Sequence, residues 1–141
     1  MSDNDDSTMG YERDETADRA VELFMGDEAA MIEPSLSVRQ AAERLREDEV
    51  GLLVVGDAVH VQGVVSERDI VRCVAAGVDL DTTTVEAIES EDLKWATRTT
   101  SVADVIEEMM EHYLRHVLIA GDDGEFLGVV SMRDLTAAYI T

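Results

Sequence analysis

Gly63-Val64-Val65-Ser66-Glu67-Arg68-Asp69 and Gly128-Val129-Val130-Ser131-Met132-Arg133-Asp134 are two near-copies of one heptapeptide. Their surroundings match as well. At the same offset of 65, Leu53 aligns with Leu118 and Gly56-Asp57 with Gly121-Asp122. Further upstream the offset is 64, pairing Ser37-Val38 with Ser101-Val102 and Val21-Glu22 with Val85-Glu86. Self-similarity at a fixed period marks a duplicated supersecondary unit.

Each copy reads the same way. Ser37 and Ser101 are helix N-cap candidates, with Gln40 and the weaker Asp104 three residues on. Val38, Ala41, Ala42 and Leu45 then follow helical spacing, as do Val102, Val105, Ile106, Met109 and Met110. Short apolar runs, 51–55 and 117–120, suit buried strands. Turns at 56–57 and 121–124 lead to second strands, 59–65 and 126–130. Ser66 and Ser131 cap second helices, the first of which ends at Gly77. Short extended segments, Met31-Ile32 and Trp95-Ala96, precede each unit, giving β-α-β-β-α twice. A unit of this size leaves one apolar sheet face open, which a second unit closes. The expected fold is α+β: an acidic disordered tail over 1–19, then units over 20–78 and 79–141, packed about a pseudo-twofold axis.

Composition narrows the function. The chain has 141 residues, with 32 Asp+Glu against 11 Lys+Arg, and a formal charge of −21. Such a chain does not suit nucleic acid or an anionic membrane surface, whose phosphates need clustered cations. No apolar run reaches the roughly 18–20 residues that span a bilayer, and the acidic N-terminus is unlike a signal peptide. Cys73 is the single cysteine, so no internal disulfide or cysteine-based zinc cluster is expected, and a reducing cytoplasm is the simplest compartment. Lys94 is the only lysine. Few lysines among many carboxylates resemble the proteins of salt-loving archaea, whose self-repulsion is screened by salt.

In chemical terms, the heptapeptide delivers a strand into a helix. Ser66 caps the helix and Asp69 stands in its first turn, where outward amides and the helix dipole favour an anion. A carboxylate so fixed accepts from two vicinal hydroxyls, as a ribose diol supplies. Arg68 and Arg133 reach a phosphate from the adjacent position. Ser-x-x-Asp is also an ordinary capping box, and that is the competing reading. No catalytic set is present: there is no nucleophile elbow, Walker loop or HExxH, so no enzyme activity is expected. His112 and His116 have a metal-ligand spacing but fall on a helix end and a strand start, so no metal site is expected. Cys73 reads as an inert buried thiol, Met109 and Met110 as core, Trp95 as packing between the units, and 43–49 as a solvated helix face.

Two tandem units, each ending in glycine, two apolar residues, Ser, two variable residues and Asp, resemble a pair of CBS domains, a stand-alone Bateman module over 20–141. The resemblance implies a regulatory module that binds adenine nucleotides (AMP, ADP or ATP) and modulates a partner protein, as a flat homodimer. It also implies pockets that mix residues of both units. One pocket would join Ser66, Arg68 and Asp69 to Thr97, Thr100, Tyr113, Arg115 and His116. The other would join Ser131, Arg133 and Asp134 to Ile32, Leu36 and the Val50-Gly51 corner. Since the second pocket has no counterpart of the aromatic and basic residues at 113–116, the Asp69 pocket is expected to be the stronger. The alternatives are an interaction scaffold, or a sensor of S-adenosylmethionine or of a divalent ion. No cofactor is expected.

Overall fold

The computed structural model describes residues 15–26 and 29–140. The strands are β1 (Met31–Ile32), β2 (Leu52–Gly56), β3 (Val61–Ser66), β4 (Trp95–Thr97), β5 (His116–Ala120) and β6 (Phe126–Ser131). The helices are α1 (Val38–Asp48), α2 (Glu67–Ala76), α3 (Val85–Ile88), α4 (Val102–His112) and α5 (Met132–Ile140). A 3₁₀ turn, Val21–Phe24, precedes β1. The strands form two three-stranded sheets, β1-β2-β3 and β4-β5-β6. In each, the first strand runs parallel to the second and the second antiparallel to the third. The α+β class and the β-α-β-β-α order of each repeat follow the expectation from sequence.

Local chemistry accounts for the elements. The capping box at Ser37 is complete: Gln40 N–H donates to Ser37 Oγ at 3.1 Å, and Ser37 N–H to Gln40 Oε1 at 2.8 Å. At Ser101 only the forward bond forms, from Asp104 N–H at 3.1 Å. α1 buries Val38, Ala41 and Leu45, and α4 buries Val102, Val105 and Met109, one stripe each. Met110 is 68 % exposed, against the expectation that both methionines are core. Adjacent helical positions lie about 100° apart, so only one of the two can face inward. Cys73 is buried, as expected, and burial is the main reason its thiol pKa is raised.

α1 and α4 end identically. Glu49 (φ 54°) and Tyr113 (φ 58°) both occupy the left-handed region that glycine prefers. Glu49→Gly is expected to stabilise the protein by about 0.5–1 kcal/mol. Urea titration checks this; unchanged or lower stability would show that the Glu49 side chain matters more than its backbone.

The compact units are drawn differently from the sequence repeats. One holds residues 29–93 and the other joins 15–26 to 94–140, where the sequence suggested 20–78 and 79–141. Hydrogen bonds give the reason. Val38 N–H donates to Thr83 O, Val85 N–H to Leu36 O, and Val64 and Ser90 exchange both bonds, so 79–93 stays with the first repeat. Val21 N–H donates to Thr100 O at 2.8 Å and Val102 N–H to Arg19 O at 2.9 Å, which ties the earliest described residues to the second repeat. Of the expected tail, 1–14 lie outside the described residues, while 15–18 are helical.

Each unit has its own core. Val21, Val102, Val105, Met109, Val117, Ile119, Val130 and Leu135 form one. Ile32, Ala41, Leu45, Leu53, Val55, Val65 and Val85 form the other. Val21 and Val85, matched at the offset of 64, play the same part in the two cores.

Candidate functional site

The heptapeptide is built alike in both units. Val65 and Val130 are fully buried at the ends of β3 and β6 and anchor the chain as it turns into a helix. Ser66 Oγ accepts from Asp69 N–H at 3.3 Å, and Asp69 Oδ2 accepts from Ser66 N–H at 2.8 Å and from Ser66 Oγ at 3.0 Å. In the second unit, Ser131 N–H donates to Asp134 Oδ2 at 2.9 Å and Asp134 N–H to Ser131 Oγ at 3.0 Å. The next amide is also taken: Glu67 N–H donates to Gly51 O at 3.1 Å and Met132 N–H to Arg115 O at 2.8 Å.

These bonds correct one expectation. The first-turn amides are not all open to an anion, since the chain itself satisfies the N-cap, first and third. The Arg68 and Arg133 amides are the ones without a partner among the described residues. The capping role of Asp69 and Asp134 is real, and each Oδ2 serves it. Oδ1 is the oxygen of each carboxylate that the cap leaves free for a diol. The two Oδ1 atoms differ. Asp69 Oδ1 accepts from Arg72 Nη1 at 3.3 Å, whereas Asp134 Oδ1 has no partner among the described residues. Arg68 and Arg133 are exposed.

The remaining candidates fall as follows. Thr97 and Thr100 engage each other, with hydroxyls 2.9 Å apart and Thr97 N–H on Thr100 Oγ1 at 3.2 Å. Tyr113 is the C-cap of α4 and is 91 % exposed. Arg115 is exposed just before β5, and His116, the first residue of β5, lies opposite Ser131. β5–β6 pairing thus brings 115–116 to the start of α5. In the other unit Leu52 lies opposite Ser66, and Gly51 takes the place of Arg115. Ile32 is 2 % exposed within its core, and Leu36 packs against that core. Ile32 is thus a core residue, and Leu36 is partly buried beside it. Trp95 sets its ring edge-on to Phe126, with centroids 6.1 Å apart.

Arg98, between the two threonines, is not available to a ligand. It holds Asp122 bidentately at 3.0 Å and 3.0 Å, and Glu22 at 2.8 Å. Its hydrogen bonds hold the Asp122 carboxyl below the usual range and raise the guanidinium, Asp122 first and Glu22 second. His112 approaches Glu108 at 3.4 Å. Ligand atoms of Glu108, Glu111 and His112 lie within 4.8 Å of one another, all exposed; His116 is not among them. Arg72, Gly26 and Glu89 were missed in the sequence. Arg72 carried a readable signal, its i+3 spacing from Asp69. The others depend on contacts between distant segments.

Comparison with known proteins follows the same lines. A family model of the CBS domain matches residues 13–76 and 85–141. An uncharacterized 17.7 kDa protein of Acidianus ambivalens is 35% identical over 111 residues, 78% of this chain and 66% of that protein. Hypoxic response protein 1 of Mycobacterium tuberculosis is 29% identical over 67% of each chain, so the chain spans about two thirds of these relatives. Among solved structures, a CBS domain protein of Pyrobaculum aerophilum complexed with AMP matches with a TM-score of 0.75 and 30% identity, over 82% of this chain and 88% of that one. The CBS domain of a bacterial CNNM/CorC family Mg²⁺ transporter in complex with ATP shares the fold alone, with a TM-score of 0.80 and 17% identity over 96% and 97% of the chains. Among the described residues no helix is long and apolar enough to cross a membrane.

Proposed function

We propose, on the premise that this chain belongs to the CBS domain family, that it is a regulatory module which binds an adenine nucleotide and alters the activity of a partner protein. The observation that carries the reading is the pair of Ser-x-x-Asp caps, each of which fixes a carboxylate at a helix start while using only one of its oxygens for the cap. The other oxygen is the acceptor for a ribose diol. Arg68 and Arg133, exposed one residue before each Asp, supply charge for phosphate. The AMP in the Pyrobaculum relative supports the ligand class. Binding would favour one of several module shapes, which the partner distinguishes. The protein works without catalysis, in the cytoplasm and as a homodimer. Val71 and Val74, 65 % and 60 % exposed on α2, support the dimer, and sedimentation checks it.

The test is thermal melting with AMP, ADP and ATP. A ligand at about one hundred times its Kd adds about 2.7 kcal/mol and moves the midpoint by several degrees. A midpoint unmoved by all three sinks the sensor and leaves an interaction scaffold; a rise with S-adenosylmethionine alone would reassign the ligand.

The acid excess supports a salt-adapted protein. Its melting temperature is expected to rise from dilute buffer to multimolar KCl as carboxylate repulsion is screened. A flat or falling curve would end that reading.

A further inference from the structure

Three independent differences separate the two copies of the heptapeptide, and all favour the same one. The first is at the carboxylate. Arg72 holds Asp69 Oδ1 at 3.3 Å, and the residue matching Arg72 at the repeat offset of 65 is Ala137, which carries no charge. The second is at the approach. A Cβ built on Gly26 would lie in van der Waals contact, 3.5 Å, with both oxygens of Asp134, so a longer side chain there would crowd the carboxylate and glycine does not. At the offset of 64, Gly26 matches Ser90, which has a side chain. The third is the basic segment. Within its own unit, β5–β6 pairing brings Arg115 and His116 to the start of α5, beside Ser131 and Arg133. The equivalent pair in the other unit, Gly51 and Leu52, has no charged side chain.

We infer that the Asp134 carboxylate is the primary acceptor of the nucleotide's sugar diol, and that Arg72 is the specificity-determining residue that makes Asp69 the weaker one. This rests on the nucleotide reading above and reverses the ranking expected from residues 113–116. The magnitude is modest, because Arg72 is 71 % exposed and such pairs contribute up to about 1 kcal/mol. A diol displacing Arg72 would lose roughly two- to fivefold in affinity on that account.

The experiment is calorimetric titration of AMP into the wild type and Asp69→Ala, Asp134→Ala, Arg72→Ala and Gly26→Leu variants. The wild type is expected to show a tighter and a weaker event. Asp134→Ala and Gly26→Leu each remove the tighter one, while Asp69→Ala spares it. Gly26→Leu keeps the carboxylate and its cap, so it separates lost access from a lost cap. Arg72→Ala strengthens the weaker event two- to fivefold and leaves the tighter one alone. Repeating the titration with 2′-deoxy-AMP should weaken the tighter event, since one hydroxyl of the diol is gone. The proposal is overturned if Asp69→Ala removes the tighter event, or if Arg72→Ala leaves the weaker event unchanged or weakens it. Absence of any AMP heat from the wild type would overturn the nucleotide reading itself, and this assignment with it. Binding with an unaltered ranking overturns only the assignment.

Discussion

Val21→Asp lowers the stability of the unit built on α4, β5 and β6 by about 3–5 kcal/mol, the cost of an uncompensated charge in a core. Val21 is wholly buried against Val102, Val105, Met109, Val117, Ile119, Val130 and Leu135. It is held there by the bond from its N–H to Thr100 O. Burial of the valine side chain by itself stabilises the fold by about 1.5–3 kcal/mol. Hydrogen exchange resolves the outcome by segment: amides of β5 and α4 lose protection, and those of β2 and α1 do not. Equal loss in both sets, or none in β5, would contradict the assignment of the early segment to the second repeat.

The second large effect is at Gly63. A Cβ there would lie 2.6 Å from Glu89 Oε2 and 2.9 Å from Ser90 O. The second contact is backbone, and it belongs to the Val64–Ser90 pairing that closes the far edge of β3. Gly63→Ala is therefore expected to cost about 1–3 kcal/mol. Removing the Glu89 side chain as well restores only part of it, because the carbonyl remains. Glu89 is itself a weak point. Its Oε1 accepts from Gln62 at 3.0 Å, while Oε2 is buried with no partner among the described residues. The matching residue in the other repeat is Met25, whose sulfur lies 3.2 Å from where a Cβ on Gly128 would be. Glu89→Met is expected to gain about 1 kcal/mol by relieving the orphaned oxygen. Both variants are read by urea titration; a neutral Gly63→Ala would show that the Glu89–Ser90 segment yields freely.

Much of this architecture was legible because it is local. The Ser37–Gln40 box, the Ser66 and Ser131 caps, the turn at Gly56 and the alternation of β3 all lie within a few residues of the side chains that cause them. Duplication then doubled each signal. Partner choice at long range was less legible. Periodicity equated Val21-Glu22 with Val85-Glu86, but equivalent segments carry no label for the unit each completes, and here Val85 completes the half it follows in sequence while Val21 completes the distant one. The candidate site divides similarly. Asp69 and Asp134 were found by their motif, and their capping geometry is set within four residues. Gly26 beside Asp134 was invisible, because nothing in a lone glycine points to a carboxylate so far along the chain. Ile32 was placed at a pocket by the family resemblance alone; the structure buries it in the core of its unit.

The bond between Val21 and Thr100 also sets an order of events during synthesis. At about 5–20 residues per second, Thr100 leaves the ribosome roughly 4–16 s after Val21. Through that interval the early apolar segment has no destination, while the core of residues 29–93 is complete once Val85 has emerged, ahead of Thr100. The first half can thus mature during translation, and the second must await both ends of its chain. A nascent-chain binder would find its longest-lived target in the stretch around Val21.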